Sequence, residues 1–455
     1  MPASLISRNG GNNRRLKTKK TRKALIITSS CGGGLLQAAI AKEQELLAND
    51  PSTVIARRDM VREWYWKIIG KFALFAWDTA QRKGNVRALE TLLRMQGAAD
   101  RVFWPQIFIR SLSTFFKEEA DRVIDTQCLG TSAILRALRI YNFLRNKKVV
   151  LEKVVVDLPT EKNTHFFRSI KRLSAKNRKW LRTITIRPLL NEDQTTEQFW
   201  KKNCNLSESD VVYEYFPVRQ AFRKFQGKER SRSDFSFSVQ FHNHEEREFL
   251  LQSISRGCLC VNVRDTEAQI SIGPKDRVIT ILLGSQPARD ATLGYVRKLI
   301  QLAAEPDSIK TPIHIFAFCG NHRIAGNSLL REVSEMVLQI PDYPGHVSVI
   351  PLSFQSDETV ASVFYRSDLT CTRSGGQTAM ELMCVVNGEI WIHSETKKPR
   401  RQTTDLTMDQ LLKGIPGWEA GNAVYLTRFR QAKIVTPETF APYGRKALGT
   451  VSKDD

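Results

Sequence analysis

At 455 residues, 42 % hydrophobic and 25 % charged, the chain is long enough for two or three cored domains and reads as globular. No apolar run approaches the roughly eighteen residues of a spanning helix, which argues against a chain that crosses a membrane. A net charge of +22 instead favours anionic partners: lipid headgroups, nucleic acid or phosphorylated metabolites.

In chain order, residues 1–23 carry eight Lys/Arg and no acid among Gly, Asn and Ser, the composition of a disordered basic arm. An Arg-rich, acid-free start also resembles a transit peptide, but no amphipathic apolar face accompanies it. "KALIITSSCGGGLLQAAIAKEQELLA" (23–48) predicts a strand, a glycine turn and a helix with Leu36, Ala39, Ile40, Glu43 and Leu47 at helical spacing. "MVREWYWKIIGKFALFAWDTAQRK" (60–83) places Val61, Trp64, Tyr65, Ile68, Ile69, Phe72 and Phe75 on one helical stripe, with Arg62, Lys67 and Lys71 off it. Such a basic, aromatic helix suits a membrane interface or, equally, an ordinary core-facing stripe. Strand-then-helix patterns recur in "DRVIDTQCLGTSAILRALRIY" and "LEKVVVDLPTEKNTHFF", followed by a polar, irregular stretch from 191 to 275. The alternation restarts at "DRVITILLGSQPARDATLGYVRKLIQLAA" (276–304) and continues through "TPIHIFAFCGNH", "GHVSVIPLS" and "SDLTCTRSGGQ". Strands alternating with helices predict parallel sheets covered on both faces, and the restart predicts two domains, 24–270 and 271–455, behind the arm.

Charge is uneven along this frame. Residues 145–187 hold thirteen Lys/Arg against three acids, and 219–232 hold six against one. Each run is either a surface for anions or a solvated face. Eight scattered cysteines, of which only Cys258 and Cys260 are close neighbours, read as reduced thiols of a cytosol-like compartment and form no zinc pattern.

In open parallel sheets ligands bind at the carboxyl ends of the strands. Glycines cluster in those loops at 32–34, 284 and 375–376. No Walker lysine follows any of them, and no G-x-G-x-x-G with a distal acid occurs. "DLTCTRSGGQTAMELM" (368–383) therefore suggests an anion at a helix N-terminus and a polyhydroxyl group within reach of Glu381.

Five segments carry a resemblance to two-domain, GT-B type glycosyltransferases, above all monogalactosyldiacylglycerol synthases and the N-acetylglucosaminyltransferase that makes lipid II. "LLGSQPARD" resembles a G-G-S-Q-G-A-R donor loop, with Pro287 replacing a glycine. "FYRSDLTCTRSGGQTAMEL" resembles the stretch whose glutamate holds ribose hydroxyls. "IPGWEAGNAVYL" resembles P-G-Q-E-x-G-N-x-x-Y, with Trp418 in the glutamine position. "VVVDLPTEKNTHFF" resembles V-V-T-D-L-x-T…H-x-x-W-F, and "TSSCGGGLLQAAIA" resembles S-x-T-G-G-G-H-x-x-A-A-x-A-I. The segments keep the family's order and span about 250 residues.

The resemblance implies an α/β fold of two Rossmann-like domains with parallel sheets facing across a cleft. It implies a UDP-sugar donor contacted by Gly284, Ser285, Gln286, Arg289, Arg373, Ser374, Gly375, Gly376, Gln377, Glu381, Glu419 and Asn422. Gly32, Gly33 and Gly34 would lie on the acceptor side, and a membrane lipid would be the acceptor, ahead of a protein or glycan. No D-x-D motif is present, so neither metal nor cofactor is expected, and the leaving diphosphate would be met by helix amides and arginines. The family's first loop ends in a histidine that serves as candidate base; here that position is Leu35. Asp157 and His165 are the titratable residues of a family-matched segment on that side, Asp157 reading either as base or as a turn cap. The expected setting is cytoplasmic, with a peripheral membrane contact. The alternative is an inactive relative that binds membrane or nucleic acid, which Leu35 and the net charge favour.

Overall fold

The computed structural model describes residues 22–30, 33–161, 165–214, 216–229, 234–306, 308, 310–321, 328–386, 388–397 and 405–448. Six strands form the first sheet: β1 (Lys23–Thr28), β2 (Val54–Asp59), β3 (Arg122–Asp125), β4 (Leu151–Val154), β5 (Leu181–Thr185) and β6 (Val211–Tyr213). They lie in the order β2-β1-β3-β4-β5-β6, all parallel. Parallel strands buried on both faces need continuous apolar runs, and "ALIIT" in β1 is wholly buried.

Three strands follow, β7 (Phe235–Gln240), β8 (Val261–Val263) and β9 (Glu267–Ile272), in a small antiparallel sheet of order β7-β9-β8. The stretch from 191 to 275, expected to be irregular, therefore holds regular structure, including helices Thr196–Cys204 and His244–Ile254. Its strand signal is the alternation in "FSFSVQ", where Phe237 and Val239 are buried between exposed serines. Helix Thr196–Cys204 packs on the N-terminal half, with Trp200 5.6 Å from Phe167, whereas the small sheet and helix His244–Ile254 attach to the C-terminal sheet: Ser253 Oγ donates to the Val349 carbonyl at 2.9 Å, and Phe237 packs 5.6 Å from Phe316.

The second parallel sheet comprises β10 (Arg277–Leu282), β11 (Ile313–Phe318), β12 (Val347–Leu352), β13 (Leu369–Thr372), β14 (Glu389–His393) and β15 (Lys433–Val435). Its order is β12-β11-β10-β13-β14-β15. Strand order reverses between β1 and β3 in the first sheet and between β10 and β13 in the second. Chains leave adjacent strands in opposite directions at such points, opening a crevice at their carboxyl ends. The α/β class and the two Rossmann-like sheets agree with the sequence.

The two halves touch closely. A Cβ on Gly376 would run into the Val156 carbonyl, and one on Gly421 into the Thr160 hydroxyl. Glycine is required at both places so that helices Gly376–Val385 and Gly417–Arg430 reach the loop after β4. One hydrophobic cluster runs through both halves, joining Val156, Leu158 and Phe166 to Ala379, Leu382 and Ala420.

Two helices differ from their expected faces. Helix Gly33–Asn49 buries Ala38, Ala39, Ala41, Lys42 and Leu46, leaving Leu47 exposed, because it is packed on more than one side. The aromatic stripe of 60–83 is broken: Met60–Trp64 forms a π-helical turn that buries Val61 and Trp64, and helix Lys67–Arg82 starts anew. Its Ile68, Phe72 and Phe75 are 83 %, 69 % and 69 % exposed. No described helix is long and apolar enough to cross a membrane.

Candidate active site

A cavity of about 590 Å³ lies where the two switch points meet. From the first half it is lined by Ser29, Gly33 and Gly34 beyond β1, by Gln127, Cys128 and Leu129 beyond β3, and by Val156 and Asp157 beyond β4. From the second half come Gly284 and Ser285 beyond β10, and Arg373, Gly375, Gly376 and Gln377 beyond β13. Gly284 has φ +91°, a conformation that favours glycine. The Ser285 hydroxyl oxygen lies 3.0 Å from where a Cβ on Gly33 would stand, so the first glycine loop and the loop after β10 face each other directly.

Asp157 is buried at the cavity wall and accepts from Asn422 Nδ2 at 3.0 Å. The same Nδ2 donates to the Ser374 carbonyl at 2.8 Å, and Asn422 Oδ1 accepts from the Leu158 amide at 2.8 Å. Asn422 thus joins the loop after β4 to the loop after β13, and holds the carboxylate that the sequence nominated as base. Ser374 is buried and donates to the Glu419 carbonyl at 2.9 Å, which ties its loop to helix Gly417–Arg430. Glu419 faces Arg373 at 3.4 Å. Burial raises the Glu419 carboxyl above its ordinary value; Arg373 works against that rise and the neighbouring Asp157 adds to it.

Glu381 lies one turn into helix Gly376–Val385 and only 2 % exposed. Arg219 reaches it from between the sheets, donating from Nε to Oε1 at 2.6 Å and from Nη2 to Oε2 at 2.7 Å. Gln377 Nε2 donates to the same Oε1 at 2.9 Å and to the Pro217 carbonyl at 3.0 Å. The third nitrogen of Arg219 bonds Asp357. A carboxylate offers about four lone-pair sites, so little of Glu381 is left for a pair of hydroxyls while Arg219 holds it. Sequence reasoning passed over Arg219 because it opens the basic run 219–232, which reads as surface charge; its side chain is buried.

The remaining nominated residues are distributed as follows. Gln286 turns to the N-terminal half, where Arg82 Nε donates to its Oε1 at 2.8 Å. Arg289 points away from the cavity and pairs with Glu332 at 2.6 Å and Asp290 at 2.8 Å. Gly32 and the His165 side chain lie outside the described residues, although His165 opens helix His165–Lys171. Leu35 lines the cavity as an apolar wall. Trp418 stacks on Trp77 with ring centroids 5.7 Å apart, so the position resembling a glutamine carries an aromatic contact between the halves.

Much of the remaining lining is apolar: Tyr65, Ile69, Phe72, Ala73, Ala76 and Trp77 from one stretch and Leu92, Leu93, Met95, Ala99 and Phe103 from the next, with Gln81 and Gln96 as the polar residues among them. Among the described residues no cluster of His, Cys, Asp and Glu could hold a metal ion.

No protein-family model matches the chain, and comparison with curated proteins finds no match. Solved structures resemble it distantly. MurG of Acinetobacter baumannii is 13 % identical with a TM-score of 0.41, covering 94 % of this chain and 92 % of that one. The glycotransferase of kitacinnamycin is 12 % identical with a TM-score of 0.44, over 94 % and 90 %. A UDP-GlcNAc 2-epimerase from Neisseria meningitidis, bound to UDP-GlcNAc, is 10 % identical with a TM-score of 0.38, over 94 % and 99 %. These likenesses concern overall architecture. Two parallel Rossmann-like sheets meeting at one cleft is the GT-B-like arrangement.

Proposed function

We propose that the protein is a glycosyltransferase that moves a hexose from a nucleotide sugar, a UDP-sugar first, to a hydroxyl of a membrane lipid. The observation that carries this reading is the continuity of one cavity. It runs from the glycine loops at 284–285 and 373–377 into an apolar channel under helix Lys67–Arg82. A polar end suited to a diphosphate and an apolar end suited to a hydrocarbon chain suit a donor and acceptor of those two chemistries.

In the transfer the acceptor oxygen forms a bond to the anomeric carbon. The bond from that carbon to the diphosphate breaks, and its electron pair leaves with the nucleoside diphosphate. The acceptor proton goes to a carboxylate, and Asp157, oriented by Asn422, is the group we assign. The amides at 375–377, heading helix Gly376–Val385, and the Arg373 guanidinium would meet the charge of the leaving group. Leu35 takes no proton, so the base has to come from elsewhere.

Phe72 lines that cavity, and it is exposed together with Ile68 and Phe75 on the same helix as Lys67 and Lys71, which supports contact with an anionic lipid surface. A second reading, an inactive protein of the same fold that binds membrane or nucleic acid, is favoured by Leu35 and by the hold of Arg219 on Glu381. Mass-spectrometric detection of UDP released from a panel of UDP-sugars, with lipid vesicles present, separates the two. Turnover with a lipid acceptor is expected. Binding of UDP with no turnover on any acceptor favours the second reading, and preference for RNA over vesicles identifies its nucleic-acid form.

A further inference from the structure

We propose that Arg219 is an internal occupant of the nucleotide site, holding Glu381 in the free protein and passing to Asp357 when the ribose of a nucleotide arrives. This rests on the nucleotide-sugar reading of the same cavity and deepens it. Arg219 and Glu381 both line the cavity, yet both are buried, each lying against the other. A carboxylate has about four lone-pair sites. Glu381 Oε1 accepts from Arg219 Nε at 2.6 Å and from Gln377 Nε2 at 2.9 Å, and Oε2 accepts from Arg219 Nη2 at 2.7 Å. About one site is left, whereas the two hydroxyls of a ribose bring two donors. The arginine fork and the diol cannot be held together, so one displaces the other.

The fold supplies the place to which the arginine goes. Its Nη1 already bonds Asp357, in the first turn of helix Asp357–Arg366. The Asp357 side chain is 25 % exposed and is not among the residues that line the cavity. With that carboxylate to turn to, the guanidinium leaves Glu381 without becoming a buried, unpaired charge, which would be costly. The Phe222 ring, 4.6 Å from the guanidinium carbon, adds a contact that does not involve Glu381. The backbone is held on both sides of Arg219. Gln377 Nε2 donates to the Pro217 carbonyl at 3.0 Å, and the Gln220 amide donates to Gln44 Oε1 at 2.8 Å, so the exchange is a turn of the side chain. One cation shared by two acids has two arrangements, and a ligand that bonds Glu381 favours the second. The apparent dissociation constant of a nucleotide then exceeds the intrinsic one by the inverse of the fraction of molecules in which Glu381 is released.

The test is isothermal titration calorimetry of the full-length protein with UDP and with 2′,3′-dideoxy-UDP, which lacks both ribose hydroxyls. Removing a cation from a cavity ordinarily weakens a diphosphate. Here Arg219→Met should instead tighten UDP by at least about tenfold and leave the dideoxy compound no tighter. Arg219→Lys keeps the charge but loses the fork; it should tighten UDP to a smaller extent and serves if the methionine variant does not fold. Asp357→Asn should weaken UDP by about threefold or more in the wild type and change nothing in the Arg219→Met background, since Asp357 acts through the arginine. UDP that binds Arg219→Met and Arg219→Lys no more tightly than the wild type overturns the proposal and leaves the nucleotide reading standing. Equal tightening of UDP and the dideoxy compound does the same. Failure of UDP to bind the wild type and both arginine variants removes the nucleotide reading, and the proposal with it.

Discussion

Arg219→Met tests the feature that most alters the view of the proposed donor site. In the wild type, Arg219 and Glu381 are 8 % and 2 % exposed and share two charge-assisted hydrogen bonds. Removing the arginine leaves the Glu381 charge buried with only Gln377 to answer it. Breaking such a pair costs about 3–5 kcal/mol, because the uncompensated charge stays desolvated. In a unit of roughly 200 residues that corresponds to a fall in Tm of roughly 6–20 °C. Scanning calorimetry with a denaturant titration reads it. Arg219→Met/Glu381→Gln should recover much of the loss, since the orphaned charge is gone, with a coupling of at least about 2 kcal/mol in the double-mutant cycle. A single-variant loss below about 1 kcal/mol, or additivity of the two changes, would refute the view that this pair is a desolvated tie between the segment joining β6 to β7 and helix Gly376–Val385.

Asp157→Asn should abolish sugar transfer while UDP still binds, and Leu35→His should change little; full turnover by Asp157→Asn would make that residue a turn cap instead. Phe72→Ser/Phe75→Ser should weaken sedimentation with anionic vesicles and leave UDP affinity intact, and wild-type binding should fall steeply from low to physiological salt. Equal binding to neutral and anionic vesicles would remove the electrostatic part of that expectation. Gly376→Ala should destabilise by about 1–3 kcal/mol, since its methyl meets the Val156 carbonyl; an unchanged Tm would show that the two halves do not pack this closely. Glu419→Gln should raise the Tm at neutral pH. The folded-state pKa of Glu419 lies above its ordinary value of 4.5, so the folded protein favours the protonated form. The wild-type handicap is therefore absent below that ordinary value and grows as pH rises through the raised one. A stability difference that did not shrink toward acid pH would contradict this.

Much of the architecture could be read from local pattern alone. Apolar runs of strand length alternating with helical stripes dictate parallel sheets covered on both sides. Glycines at the strand ends mark the loops that line the cavity at 33–34, 284 and 375–376. β7 was missed, although the period-two alternation of Phe235, Phe237 and Val239 carries its signal within a stretch that reads as polar and irregular. Local pattern does not reveal which residues from distant stretches will share a desolvated space. Arg219 and Glu381 lie 162 positions apart, and Asn422 and Asp157 lie 265 apart. Whether a basic residue is a solvated charge or the partner of a buried carboxylate depends on the dielectric around it, and only packing creates that dielectric. The aromatic stripe from Val61 to Phe75 shows the same limit. Helical spacing predicts a shared face, yet the chain breaks after Trp64, and tertiary contacts alone bury the first part and leave Ile68, Phe72 and Phe75 at the surface.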